Sequence, residues 1–189
     1  MKIARFTGFA LLLPGLVMAG DTSVEWSRWR GPAATSITTQ EGWKAQSFAG
    51  PLRVAWRTNV GRGHSAVTVR GDRLYTMGYQ VNTSGSEKVA EEIVYCLSAR
   101  TGREIWRYAY RTTEQDWPGP ASTPVLDGTY LYTTGRRGEV TCFDAATGVV
   151  VWKRHLVDER LAQRPNWGFC ASPVVEGKLL LLNAGRSGV

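Results

Sequence analysis

Tryptophan ends a unit that recurs along this chain, and the repeat limits what the chain can fold into more than any other feature. Trp152 follows Trp106 by 46 residues. The fullest copy runs from Gly119 to Trp152. It opens with Ser122-Thr123-Pro124-Val125-Leu126-Asp127-Gly128 and closes with Asp144-Ala145-Ala146-Thr147-Gly148 and Trp152. An earlier copy starts at Ser65, turns at Gly71-Asp72 and closes with Ser98-Ala99-Arg100-Thr101-Gly102 and Trp106. A later copy begins at Ala171-Ser172-Pro173 and turns at Glu176-Gly177. Each unit reads as four short antiparallel strands. β-branched and aromatic residues fill the runs, and the turns carry glycine, which takes a positive φ without a Cβ clash. No stretch keeps a 3.6-residue period, which argues against a helical domain. A lone four-stranded unit cannot bury both of its faces, whereas units stacked around an axis can. The predicted class is all-β: a propeller of four-stranded antiparallel blades. Two full blades and part of a third occupy residues 61–189. Trp56, Trp106 and Trp152 recur at unit ends, where a flat indole can fill the gap between blades.

The first 19 residues read as a signal peptide. Lys2 and Arg5 precede an uncharged apolar run from Phe6 to Val17, and Ala19 stands at a cleavage position. The run is shorter than the ~20 residues a span needs, so no transmembrane segment is expected after cleavage. Residues 20–60 are expected to lead into the propeller, and the location is expected to be periplasmic or secreted. Such compartments are oxidising. Cys96 and Cys142 occupy equivalent places in successive units, and sheets pack about 10 Å apart. A disulfide needs a shorter approach, so free thiols are expected. The formal charge of +7 is spread without a Lys/Arg run. No nucleic-acid partner is expected from that pattern.

The two closing motifs carry a resemblance. Asp144-Ala145-Ala146-Thr147-Gly148 with Trp152 resembles the tryptophan-docking motif of the quinoprotein-like, or PQQ-like, propeller repeat family. Ser98-Ala99-Arg100-Thr101-Gly102 with Trp106 is a second copy that carries Ser98 where the motif has Asp. The family includes quinone-dependent dehydrogenases and non-enzymatic members such as the propeller lipoprotein of the outer-membrane barrel-assembly machine. Trp29-Arg30-Gly31-Pro32 and Pro165-Asn166-Trp167-Gly168 further resemble a group of exported repeat proteins. The resemblance spans residues 26–189 and speaks for fold more than for function. Aligned on the second copy, Val189 falls opposite Val140, so the sequence is expected to be an N-terminal fragment of a longer propeller.

The resemblance would imply pyrroloquinoline quinone with calcium if the protein were a dehydrogenase fragment, which is the alternative reading. Family enzymes often hold the quinone against a disulfide between adjacent cysteines, and this chain has no adjacent pair. Calcium takes six to eight oxygens, and no such set is evident. The expected cofactor list is therefore empty, and no catalytic or metal-binding residue is predicted. His64 and His155 are the only histidines, and neither has a defensible triad partner. In a propeller, loops that lead into inner strands gather on one face. Here these are 61–64, 117–121 and 166–170, and the insert 79–92 is expected on the same face. Arg62, His64, Trp117, Asn166 and Trp167 are thus the candidate ligand-binding residues. Exposed aromatics beside cations suit a protein or glycan partner.

Overall fold

The computed structural model describes residues 25–38, 41, 44–84, 86–112 and 119–183. The predicted signal peptide, Trp117 and the segment up to Val189 lie outside the described residues. Those described are all-β, apart from one short 3-10 helix at Ala45–Phe48. The first blade consists of β2 (Thr68–Arg70), β3 (Arg73–Ser84), β4 (Glu87–Ser98) and β5 (Glu104–Thr112). The second consists of β6 (Val125–Asp127), β7 (Tyr130–Thr134), β8 (Glu139–Asp144) and β9 (Val150–His155). A third begins with β10 (Val174–Glu176) and β11 (Leu179–Leu181). All pairings are antiparallel and sequential.

Three apolar layers line the blades, two of them between neighbours. Tyr75, Met77, Val94 and Cys96 of the first blade meet Leu126, Leu131 and Phe143 of the second. On the far face of the first blade, Ile93, Tyr95 and Leu97 pack under Val60. On the far face of the second, Val140, Leu156 and Phe169 pack under Leu180 and Leu182 of the third. The strands β6 and β10, each first in its blade, approach one another. This is the convergence that inner strands show around a propeller axis.

The repeated turn explains the repeated tryptophan. In the second blade, Asp144 Oδ1 accepts from the amide and hydroxyl of Thr147 at 2.8 and 2.7 Å, and the Gly148 amide donates to Asp144 O at 2.8 Å. The Thr147 hydroxyl and amide hold the Asp144 carboxyl below its ordinary pKa. The closed turn presents Ala145 O outward, where it accepts from Trp106 Nε1 at 3.0 Å and from the Tyr75 hydroxyl at 3.1 Å. Gly148 has φ +75, and a Cβ there would lie 2.6 Å from the Trp106 ring. The tryptophan of one blade therefore lies on the turn of the next, in the space that glycine leaves. The same arrangement holds one step earlier, where Trp56 Nε1 donates to Ala99 O at 3.0 Å over Gly102. Ser98 does the work of the motif aspartate by accepting from Thr101 N at 3.2 Å. Asp72 adds a cap on Arg100 N at 3.0 Å. Cys96 and Cys142 are free and buried, and burial raises both thiol pKa values.

Three details differ from the sequence reading. The insert at 79–92 is a continuation of β3 and β4, paired from Tyr79↔Glu92 out to Ser84↔Glu87, rather than a loop. The backbone N–H and C=O groups of its two arms satisfy one another as a ladder. The first blade also carries a fifth strand, β1 (Glu25–Trp26), paired with β2 at Glu25↔Arg70 and Trp26↔Val69. The Ser27 carbonyl then accepts from the Leu126 amide at 2.8 Å, so this segment bridges the inner strands of two blades. Arg70 locks the bridge by binding Glu25 at 3.0 Å and donating to Gly128 O. Finally, Trp152 is 37% exposed and lies tilted against Tyr132, ring centroids 6.1 Å apart; among the described residues no following turn covers it.

Candidate functional site

The loop face is held together by one buried arginine. Arg136 lies in the turn between β7 and β8 and is 6% exposed. Its Nη1 donates to Gly119 O at 3.1 Å, its carbonyl accepts from the Phe169 amide at 2.9 Å, and its own amide donates to Glu92 Oε2 at 3.1 Å. Gly119 in turn lies against Arg62 and Gly63, and the His64 amide donates to Pro120 O at 2.8 Å. The loops before the first, second and third inner strands are thus joined through Arg136.

Glu92 completes this junction. It is fully buried on β4, and its Oε2 also accepts from the Tyr110 hydroxyl at 2.8 Å. Oε1 has no partner, and Oε2 of the neighbouring Glu139 is likewise buried and unpaired. Burial raises the Glu92 pKa, opposed by the Tyr110 and Arg136 hydrogen bonds and reinforced by the Glu139 charge. A raised folded-state pKa means that the folded chain holds the proton more tightly than the unfolded chain. The contribution of Glu92 to stability is then fully present below the ordinary glutamate range and is lost as pH rises through the raised value. Glu92→Gln is expected to flatten this decline. Urea midpoints measured from pH 4 to 8 check it, and a parallel decline in the variant would contradict the assignment.

Of the candidate ligand-binding residues, Arg62 forms an antiparallel bridge with Tyr79 and is exposed, as is His64. Asn166 and Trp167 are exposed on the 165–168 turn, with Trp167 at 65%. The cleft of this face, about 570 Å³, takes in His64 but not Arg62, Asn166 or Trp167. Its other walls come from Arg28, Trp29 and Arg30 before the first blade, from Thr123, and from Cys170 to Val174. The sequence had marked Trp29-Arg30-Gly31-Pro32 without placing it at the face. A compact knot puts it there. Arg28 donates from Nε and Nη2 to Pro32 O at 3.0 and 2.6 Å, and the Ser36 amide returns to Arg30 O at 2.8 Å.

The calcium of the alternative reading does not fit the residues present. Among the described residues no group of three His, Cys, Asp or Glu side chains could hold a metal ion. The cleft is lined by two arginines and a histidine and by no carboxylate, the reverse of what a hard cation requires.

Comparison with known proteins agrees with the repeat. Residues 90–189 match the family model described as outer membrane protein assembly factor BamB. The crystal structure of BamB from Moraxella catarrhalis is similar over 67% of this chain and 45% of that one, at 18% identity and a TM-score of 0.37. The chain therefore spans under half the length of that structure. No curated protein matches the chain. No helix among the described residues is long and apolar enough to cross a membrane.

Proposed function

Since the chain belongs to the family described as outer membrane protein assembly factor BamB, we propose that it serves as an exported, non-catalytic propeller whose loop face binds a protein or ligand partner. The observation that carries this reading is the cleft beside His64, assembled from four separated stretches of chain at the inner-strand end of the blades. Clefts of about 300–1,000 Å³ with a few convergent polar groups are the usual form of ligand sites. The junction at Arg136 supports the reading, because it ties the face-forming loops to the blades and limits the ordering cost of binding.

Hydrogen exchange on the full chain tests it against a panel of exported proteins, cell-wall glycans and peptides. A true partner is expected to slow exchange at residues 61–64, 119–123 and 166–173. Protection confined to the opposite turns, at 99–102, 127–129 and 145–148, would contradict the reading.

A further inference from the structure

We infer that the cleft beside His64 is a receptor for a carboxylate that carries an apolar or aromatic group. The inference rests on the loop-face reading and adds the chemistry of the ligand. The cleft is lined by Arg28, Arg30 and His64 and by no acidic residue. Among the described residues neither Arg28 nor Arg30 meets a carboxylate. Arg28 is anchored on Pro32 O, and Arg30 through Nε on Ser36 Oγ at 3.1 Å. Arg28 is held through two nitrogens and Arg30 through one, and further N–H donors remain on each. Guanidinium forks match the geometry of a carboxylate and bind it with charge-assisted hydrogen bonds.

A hydroxyl extends the donor set. Ser172 Oγ accepts from the amide of the buried Thr123 at 2.8 Å, which orients the oxygen and leaves its hydrogen to donate. The knot that supplies the arginines is strained. Arg30, Ala34 and Ser36 all take positive φ without being glycine, at 67°, 55° and 63°. A Cβ at Gly31 would lie 2.8 Å from the Trp26 ring, which seats the knot on β1. Such residues persist where their surroundings over-determine them, characteristically at active sites and ligand clamps. The apolar half of the ligand is assigned to Trp29 and Val174, which are 56% and 41% exposed at the cleft.

Titration calorimetry on the full chain tests this with N-acetyl-phenylalanine and a hexapeptide ending in phenylalanine, each as free acid and as amide. The acids are expected to bind at least about tenfold more tightly than the amides, and the difference is expected to shrink with added salt. A hexapeptide acid tighter than the small acid assigns the ligand to peptide C-termini, and equal affinities assign it to free organic acids. Arg30→Asn, which tolerates the positive φ, and His64→Gln are each expected to weaken the acid while circular dichroism stays unchanged. Equal binding of acid and amide, displacement by inorganic phosphate at equal concentration, or no binding at millimolar probe overturns the inference. A ligand without a carboxylate that protects residues 61–64 and 166–173 would overturn it and leave the loop-face reading standing. Protection by nothing in the panel defeats both.

Discussion

Trp106→Ala is expected to destabilise the chain by about 3–5 kcal/mol, the cost of removing a large aromatic from a packed layer. The indole lies between Tyr75 at 6.0 Å and Phe143 at 5.8 Å, and it donates to Ala145 O across the blade boundary. Truncation would open a cavity in the layer shared by both blades and remove one hydrogen bond that crosses it. Trp152→Ala is the matched control. Its ring is 37% exposed and contacts Tyr132 of its own blade. Its loss is expected to cost about 1 kcal/mol or less, nearer to a surface substitution. Urea denaturation followed by circular dichroism compares the two. Equal losses would mean that the repeated tryptophans do not act by docking on the following turn.

Arg136→Met is expected to cost about 2–3 kcal/mol and to loosen the loop face as well. The change keeps most of the apolar stem but removes the donor to Gly119 O, leaving a buried carbonyl unpaired. Such an orphan costs about 1–3 kcal/mol. It also removes the positive charge that lowers the Glu92 pKa, so the buried carboxylate becomes harder to ionise. Amide exchange at Phe169 and His64 is expected to quicken beyond the global change. A variant that loses stability uniformly, with no excess at those amides, would show that Arg136 does not organise the loops.

The blades were legible in the sequence because their determinants are local. Asp127-Gly128 and Asp144 to Gly148 name their own turns, and the β-branched and apolar run of β8 is buried on both faces from Val140 to Phe143. The loop-face residues were only half legible. Chain order indicated which loops share an end of the sheet, and the structure seats His64 in the cleft, but Arg62, Asn166 and Trp167 do not line it. Arg136 was invisible because Gly135-Arg136-Arg137-Gly138 reads as a polar turn, and nothing local separates the buried arginine from its neighbour. Glu92 did leave a signal. It shares the period-two face of Val94 and Cys96, which places a carboxylate in the interblade layer. The strand at Glu25–Trp26 has two residues, too few to carry any period, and its partners lie more than forty residues away. The left-handed residues of the knot at 28–36 were equally hidden, since Arg30, Ala34 and Ser36 are not residues that announce a positive φ.

Exchange of the indole N–H protons, followed residue by residue by NMR on the full chain, tests the stacked-blade account most directly. Trp56 and Trp106 each donate to a backbone carbonyl of the next turn, to Ala99 O and Ala145 O respectively. Their indole protons are predicted to exchange slowly, at rates that track unfolding of the blades. The exposed rings of Trp29 and Trp152 are predicted to exchange at rates close to those of a solvated indole. Exchange of Trp106 as fast as that of Trp29 would contradict the docking of successive blades, and with it the rigid face on which the proposed binding depends.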